Sequence, residues 1–410
     1  MVSGSLGMFS RGMVFPYIPL FILSLGGEPV QVGIVYALGP LAGILVFPIA
    51  GYLADYMNRA WLIVVTGYFS AGVVLINAAA PSWEWVALAS LLRGFSVFNF
   101  PAVSSIVADS LRPERRGRGM AIMAALTSLP ALLAPWAAGS MLDAFGVEAG
   151  MRILYVVMAS AYGIGATIQL IFLKETRTRT KDSIRFSNLS RTFKRSYIDI
   201  PQMVKNFPSS LRGLSVIIIL CFIANGIASP FWVIYANTFI GLSSAQWGLI
   251  LLMETALRDL ATIPAGFLID RFGRSRFIIG ALISSTAIPL FLLAGTFTQV
   301  LAIRCLVGLT SAFFSPSTSA LLADLVPSEI RGRTMAAIGR GSVMIGAASG
   351  GTGGPGTGFL IAVPLMLASW AGGRLYSWNP VSTWLLVLAL MVAALAVAIL
   401  FVRDPKSAEE

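Results

Sequence analysis

Charged side chains stand inside segments of this chain that are otherwise apolar, and they are the residues whose types could support chemistry. A charge buried in lipid is costly, so such residues usually face a partner or a water-filled cavity. The acids could bind a proton or a cation, whereas the arginines could hold an anionic or carboxylate-bearing solute. The set is Arg11, Arg93, Glu254, Arg258, Asp259, Arg304 and Arg340.

Glu254 is the deepest carboxylate of this set. It precedes Gly266 by 12 residues (266 − 254), or roughly 18 Å of helix, which places it near the membrane midplane. Because Arg258 follows by four residues, Glu254 either forms an ion pair on one helix face or binds a proton or substrate. The candidates for coupling are therefore Glu254, Arg258 and Arg304.

Arginines outnumber acids five to two in this set, which favours an anionic or carboxylate-bearing solute. Snorkelling of Arg11 or Arg340 to the interface would remove that preference. Polar and aromatic residues within the spans could complete a cavity, although lipid-interface placement and helix packing are alternatives for each of them. The predicted substrate cavity comprises Arg11, Tyr17, Arg93, Asn99, Asn225, Trp232, Tyr235 and Arg304, with Asn237 as a further candidate.

Long apolar runs must position these side chains. The chain has 410 residues, of which 57% are hydrophobic and 11% charged, against about 25% charged in soluble domains. The runs are continuous and near the ~20 residues that cross a bilayer as a helix, so they predict helices rather than barrel strands. The predicted spans are 3-25, 32-50, 61-80, 85-108, 119-142, 151-173, 214-240, 244-265, 277-295, 298-323, 334-375 and 380-402. The predicted fold class is thus all-α, a membrane protein with twelve transmembrane helices.

Several functions are disfavoured by composition. Histidine is absent, and Cys221 and Cys305 fall inside apolar spans, so we expect no metal site, cofactor, disulfide or redox chemistry. The spans contain neither a Ser-His pair nor paired aspartates, so no catalytic residue and no enzyme activity are predicted. No basic n-region with a cleavage site precedes the first span, and we expect no cleavable signal peptide.

The net charge of +11 follows membrane topology rather than nucleic-acid binding. Residues 174–212 contain ten Lys/Arg against three acids, and loops 55-60, 109-118, 270-276 and 324-333 also carry arginines. We assign these segments to the cytoplasm, together with both termini. The expected location is the cell (cytoplasmic) membrane, where a multi-pass monomer contacts lipids.

The two halves of the chain repeat one another. A shift of 215 residues superposes positions 26 to 121 on the second half without a gap, as in Gly26 on Gly241 and Pro101 on Pro316. Because the shift covers six spans, the halves are predicted to be parallel six-helix bundles with solute sites between them. The predicted domains are a bundle of residues 1-173, a basic linker 174-213 that is partly an amphipathic helix or a solvated loop, a bundle of residues 214-402 and a tail 403-410.

The turns after the second and eighth spans carry the same motif twice. The first copy has Gly51, Asp55 and Arg59, and the second has Gly266, Asp270, Arg271, Gly273 and Arg274. The pattern resembles the signature G-x-L-a-D-r-x-G-r-k of the major facilitator superfamily. In the first copy Tyr56 replaces a basic residue and Asn58 replaces a glycine, and asparagine tolerates the left-handed conformation that a tight turn can need.

The resemblance implies a secondary transporter whose Asp-Arg pairs close the cytoplasmic side. Loops after spans four and ten resemble family links and would supply the partners for Asp55 and Asp270; ordinary topology charge is the alternative. These gate partners are Asp109, Arg116, Arg118, Asp324, Arg331 and Arg333. Arg304 and Gly308 match the family's R-x-x-x-G motif, whereas the first half has Ala89 at the equivalent position and Arg93 one turn later.

Span eleven departs from the repeat. The second half has 19 extra residues (38 from Gly332 to Trp370, against 19 from Gly117 to Trp136), with seven glycines and Pro355 between Gly346 and Gly358. Such a segment cannot be a continuous helix. We expect either an unwound segment beside the cavity or an external loop that precedes a short span 359–375.

The function expected from these features is secondary active transport of a small organic solute by alternating access, with protons as the coupling ion. The glycine-rich segment 350–358 weakly resembles the antiporter motif of the superfamily's drug transporters, so a multidrug efflux proton antiporter is the alternative. A channel or sensor that retains the fold without coupling is a more remote alternative.

Overall fold

The computed structural model describes residues 2–110, 126–175, 207–326, 343–348 and 358–404, together with Met123, Ile338 and Gly339. Within these ranges, the side chains at 43, 45, 47–49, 51–56, 100, 108–109 and 359 are not described. Every regular element in the described part of the chain is helical, and each of the twelve predicted spans contains a helix.

The N-terminal half contains spans one to six. Its helices are α1 (Val2–Val14), α2 (Ile18–Ser24), α3 (Pro29–Tyr56), α4 (Arg59–Ala78), α5 (Trp83–Arg93), α6 (Asn99–Ser110), α7 (Ala134–Phe145) and α8 (Val147–Phe172). Short 3-10 segments interrupt span one at Phe15–Tyr17 and span four at Gly94–Phe98. Proline explains the first break, because Pro16 and Pro19 lack the N–H groups that a continuous α-helix needs.

The C-terminal half contains spans seven to twelve. Its helices are α9 (Ser209–Ala228), α10 (Phe231–Thr238), α11 (Ser244–Phe272), α12 (Arg274–Ser285), α13 (Phe297–Leu325), α14 (Phe359–Trp378) and α15 (Pro380–Phe401). The last residues of the predicted linker 174-213 overlap α9, which begins at Ser209, and residues 176–206 of the linker lie outside the described ones. The predicted span 334-375 is also not one helix, since residues 343–348 are irregular and α14 begins at Phe359.

Eight of the described helical stretches are long and apolar enough to cross a membrane by length and composition. They do not include α11, whose interior carries several charged side chains, Glu254, Arg258 and Asp259 among them. Exposed leucine, isoleucine and phenylalanine side chains cover the outside of both halves, for example Phe172 and Leu293. This is the surface expected of a protein surrounded by lipid.

Short connections lie at one end of the molecule, which we call the short-turn face. They include residues 25–28, 79–82, Gly146, 239–243, 294–296 and Asn379. The repeat is visible there in backbone geometry, because Gly26 and Gly241 both have a left-handed φ, at 81° and 77°. That conformation favours glycine, which accounts for the paired glycines 215 positions apart.

The two halves contact each other close to the short-turn face. Helix α3 packs against α14, and a Cβ added at Gly33 would lie 2.7 Å from the Ser369 carbonyl oxygen and 2.8 Å from Gly373 Cα. Helix α7 likewise packs against α11, where Gly139 faces the Ser244 backbone and Gly248 faces the Pro135 backbone. Glycine at these positions permits the helix backbones to approach this closely.

Two side chains of the N-terminal half bond to the start of α11 in the other half. The Asp143 carboxylate accepts the backbone N–H groups of Ser244 and Ala245 at 2.9 and 3.0 Å. The Tyr17 hydroxyl lies 2.6 Å from the Pro135 carbonyl oxygen and 3.0 Å from that of Ser244. A carboxylate at a helix N-terminus is stabilising, so Asp143 helps to hold this end of the molecule closed.

The close approach of α3 and α14 predicts the effect of adding one methyl group. Gly33→Ala should destabilise the protein by about 1–3 kcal/mol, because the new Cβ meets backbone atoms that cannot move away easily. Thermal unfolding of the purified protein measures this. The matched control is Gly72→Ala in α4, where a Cβ meets nothing within 4 Å and alanine improves helix propensity. Equal melting temperatures for the two variants would contradict the proposed interface.

Candidate functional site

An ion pair between spans eight and ten forms the centre of the C-terminal half. Arg304 in α13 donates from Nε to Glu254 Oε2 at 2.9 Å and from Nη2 to Oε1 at 2.7 Å, so the contact is bidentate. Arg304 is fully buried and Glu254 is 8% exposed. Glu254 lies 10 residues (254 − 244) from the start of α11, or about 15 Å, half of a ~30 Å hydrocarbon core.

The Arg304 guanidinium has two further contacts. Its Nη1 donates to the Gly346 carbonyl oxygen at 2.7 Å, and its central carbon lies 4.4 Å from the ring centre of Trp232 in span seven. Trp232 in turn packs against Phe291 and Trp384. The positive charge of the Arg304 guanidinium is therefore compensated by a carboxylate, a carbonyl dipole and an aromatic ring.

Residues 343–348 form an irregular segment buried within the bundle. Val343, Ile345 and Ala348 are each less than 5% exposed. The Asn225 amide donates to the Met344 carbonyl oxygen and accepts the Ala347 N–H at 3.1 Å, and the Ser311 hydroxyl donates to the Ile345 carbonyl oxygen at 3.2 Å. Irregular backbone at membrane depth needs such partners. Gly346 to Ala348 are the first residues of the predicted unwound stretch, and Ser349 to Thr357 lie outside the described residues.

The i,i+4 pair expected from the sequence is replaced by a longer-range one. Glu254 bonds to Arg304, while Arg258 pairs with its neighbour Asp259 at 2.9 Å and donates to the Met344 sulfur. The i,i+4 pair was expected because Arg258 is close to Glu254 in sequence. In the fold, however, α13 places Arg304 directly against the Glu254 carboxylate. A small cavity adjoins this site, lined by Cys221, Asn225, Trp232, Ile345 and Gly346 among others.

The predicted cavity residues divide into three groups. Asn225, Trp232 and Arg304 converge on the site just described, and Tyr235 lies nearby, its ring 5.2 Å from that of Phe291. Tyr17 is instead fully occupied at the contact between the halves. Three remain in the N-terminal half: Arg11, Arg93 and Asn99.

The second gate motif forms contacts within its own half. Arg274 pairs with Asp324 at 3.0 Å, and both backbone N–H groups of Arg274 and Ser275 bond to the Asp404 carboxylate at 3.0 Å. Gly273 has a φ of 92° and separates α11 from α12. Asp270 is exposed, and the Arg271 guanidinium lies over the Phe272 ring. Sequence reasoning missed Asp404, because a balanced, short tail gives no signal of a helix cap.

The first gate motif is described only in part. Gly51 belongs to α3 and Arg59 begins α4, but the side chains of Asp55 and Asp109 are not described. Asn58 has an extended conformation rather than a left-handed one, and its side chain accepts the Trp61 N–H at 2.7 Å. It therefore preserves the turn as a helix N-cap, which corrects the expected role. The proposed partners Arg116, Arg118, Arg331 and Arg333, and also Arg340, lie outside the described residues.

Known transporters resemble this chain in sequence. The multidrug resistance protein MdtG of Citrobacter koseri is 25% identical over 345 residues, with 80% of each chain covered. A multi-drug resistance efflux pump, the PmrA homolog of Lactococcus lactis, is 24% identical over 328 residues, with 78% of each covered. An uncharacterized MFS-type transporter of Methanocaldococcus jannaschii is 23% identical over 339 residues, also with 78% of each covered.

Solved structures share the fold. The crystal structure of a variant of the nucleoside transporter NupG superposes with a TM-score of 0.71 at 14% identity and covers 98% of both chains. A bacterial homologue of the iron transporter ferroportin, in an inward-facing state, gives a TM-score of 0.67 at 16% identity and covers 97% of this chain and 96% of its own. The family model of the Major Facilitator Superfamily matches residues 1–210 and 214–410. The chain therefore belongs to the major facilitator superfamily, and it is a multi-pass membrane transporter rather than an enzyme.

Proposed function

We propose that this protein is a proton-coupled secondary transporter of a small organic solute that carries an anionic or carboxylate group. The observation that supports the proposal is the buried, bidentate Glu254–Arg304 pair, which bonds to the irregular segment 343–348. The proposal places the protein in the cytoplasmic membrane with both termini in the cytoplasm, and it treats one chain as the working unit.

The pair supplies a direct link between a proton and an anion. Protonation of Glu254 removes the negative charge that compensates Arg304. Binding of a new anionic partner to the Arg304 guanidinium then becomes more favourable. A carboxylate-bearing solute provides that partner, and its release returns Arg304 to Glu254 once the proton leaves. Proton and solute thus favour each other's binding, which is positive coupling between two ligands.

The closed short-turn face fits one state of an alternating-access cycle. If the basic loops are cytoplasmic, contacts of Tyr17 and Asp143 with α11 close the outer side, which corresponds to an inward-facing state. Rocking of the two halves would break these contacts and expose the site to the other side. The gate motifs would then close the cytoplasmic side.

A multidrug efflux antiporter is the second candidate, favoured by relatives named as multidrug resistance proteins. In that mechanism a cationic drug would compete with a proton for Glu254. The geometry argues against this arrangement, because a cation that approaches Glu254 also meets the Arg304 guanidinium at hydrogen-bond distance from the carboxylate. Thermal-shift screening of the purified protein against anionic metabolites and cationic dyes, at two pH values, separates the candidates, since a ligand stabilises the folded state that binds it.

Removing one member of the buried pair should be strongly destabilising. Glu254→Gln and Arg304→Gln should each cost about 3–5 kcal/mol, because each leaves an uncompensated charge, and the double variant should recover much of this loss. Unfolding by heat or denaturing detergent measures the cycle. The control is the adjacent pair Arg258 and Asp259, which is partly exposed and should couple by about 0.2–1 kcal/mol. Additive losses at Glu254 and Arg304 would contradict the proposed interdependence.

Replacing the carboxylate should uncouple transport. In proteoliposomes with an imposed proton gradient, Glu254→Gln should abolish uphill accumulation of the solute found by screening and leave solute exchange intact. If that variant is too unstable, the double Glu254→Gln/Arg304→Gln variant should likewise fail to accumulate. Asp259→Asn, five residues further along α11, is the matched control and should accumulate normally. A Glu254→Gln protein that still concentrates solute would remove this carboxylate from the coupling mechanism.

A further inference from the structure

An arginine near the end of span eleven has no charged partner within the described part of the chain. Arg374 is the one charged residue in the sequence of α14, and it stands four residues (378 − 374) before that helix ends at the short-turn face, or about 6 Å along the axis. Its side chain is exposed, and no described carboxylate forms an ion pair with it. Its guanidinium instead lies over the Trp370 ring, with the central carbon 3.8 Å from the ring centre.

The contact with Trp370 fixes the direction of the guanidinium. Trp370 precedes Arg374 by one helical turn, and long side chains on a helix lean toward its N-terminus. The positive charge is therefore held back along α14, toward the membrane interior, rather than extended past the helix end into water. An aromatic face compensates such a charge only in part, so an anion beside the guanidinium would stabilise it.

A groove of about 370 Å³ lies beside the Arg374 side chain. It is lined by Ile227 of α9, by Leu386 of α15 and by one face of α14 between Trp370 and Trp378. Gly372 brings two of these helices together, since a Cβ there would lie 2.7 Å from the Ile227 carbonyl oxygen. The volume is in the range of ~300–1,000 Å³ that ligand sites occupy. Arg374 is the one charged residue of this lining, which contains no acid.

The groove extends through the depth of one lipid leaflet. Trp378 at the end of α14 is 80% exposed, and Trp370, two turns deeper, is 41% exposed. Leu386 lies six residues (386 − 380) into α15, about 9 Å from the short-turn face, whereas one leaflet contributes about half of a ~30 Å hydrocarbon core. Tryptophan is enriched at the headgroup level of membranes. The groove thus runs from the headgroups into the acyl-chain region.

Arg152, at the same end of the molecule, shows how this fold compensates an arginine from within. Arg152 pairs with Glu148 at 3.0 Å and donates to the carbonyl oxygens of Ala78 and Ala80 at 3.0 and 2.7 Å. It stands five residues (152 − 147) into α8, so its depth is close to that of Arg374. Arg374 has no comparable partners among the described residues, and its compensation has to come from outside the chain.

We propose that this groove binds an anionic phospholipid of the leaflet at the short-turn face, with the phosphate on Arg374 and an acyl chain between Trp370 and Trp378. The planar guanidinium binds phosphate oxygens in a bidentate manner. An anionic lipid fits better than a zwitterionic one, because a choline group would need an acid that the lining lacks. This lipid site goes beyond the proposed function and requires neither the solute nor the coupling ion assigned there.

Lipid titration of the purified protein in a neutral detergent tests the site. Dioleoyl phosphatidylglycerol should raise the melting temperature, because a ligand stabilises the folded state that binds it, and dioleoyl phosphatidylcholine should raise it less. Native mass spectrometry of the same samples gives the affinity of the first bound lipid. Equal affinity for the two lipids would overturn the choice of an anionic partner.

The charge is tested by a pair of substitutions. Arg374→Gln should weaken binding of the first phosphatidylglycerol by about fivefold, which is the factor expected for one basic residue near a lipid surface. Arg276→Gln is the matched control, since it removes an exposed charge from α12 at the opposite end of the molecule and should leave that affinity unchanged. Equal losses in both variants would show nonspecific attraction to a basic protein. A lower melting temperature of Arg374→Gln without lipid, combined with unchanged lipid affinity, would assign Arg374 a structural role.

The groove itself is tested without removing the charge. Ala371 is exposed within the lining, so Ala371→Trp should fill the groove, leave the melting temperature without lipid unchanged and weaken phosphatidylglycerol binding severalfold. Glycerol 1-phosphate carries the phosphate without acyl chains and should neither stabilise the protein nor displace the lipid. Stabilisation by glycerol 1-phosphate equal to that by phosphatidylglycerol, or unchanged lipid affinity in Ala371→Trp, would contradict a lipid site.

Discussion

The cost of holding a guanidinium in the middle of a membrane constrains most of what the C-terminal half does. Arg304 is fully buried, so its charge requires partners from its surroundings. They come from three places: the Glu254 carboxylate on span eight, the Gly346 carbonyl on the irregular segment, and the Trp232 ring on span seven. One side chain thereby fixes the relative positions of spans seven, eight and ten and the backbone that follows them.

The two halves share the same helical framework but differ in their buried charged residues. Gly26 and Gly241 keep the same backbone conformation, and helices of the two halves correspond in order. The buried ion pair has no counterpart, because Gly39 and Ala89 stand where the second half has Glu254 and Arg304. The halves are therefore electrostatically asymmetric, with an ion pair between spans eight and ten and small residues at the equivalent positions of spans two and four. This asymmetry follows from single residues rather than from the fold.

Sequence reasoning predicted the helices and the family because apolar runs and a doubled motif are local signals. It could not predict the partner of Glu254, since the choice between Arg258 and Arg304 depends on how α11 and α13 face each other. Asp143 was missed for a related reason: nothing in its sequence neighbourhood shows that it meets the start of α11, about one hundred residues away. The role of Asn58 was predicted wrongly, because local preferences allow asparagine to adopt a left-handed turn conformation or to act as a helix N-cap.

The contacts that close the short-turn face are of a kind that can open during a transport cycle. They consist of the Asp143 cap, worth about 1 kcal/mol by comparison with other N-caps, the hydrogen bond of the Tyr17 hydroxyl to the Ser244 carbonyl oxygen, worth about 1 kcal/mol, and packing of small residues at Gly33 and Gly248. The Glu254–Arg304 pair, in contrast, lies within one half and need not break when the halves rock. Opening therefore costs an amount that differential solute binding can supply, because a shift of a few kcal/mol reverses a two-state population. The strongly bonded site can therefore travel intact with its bundle.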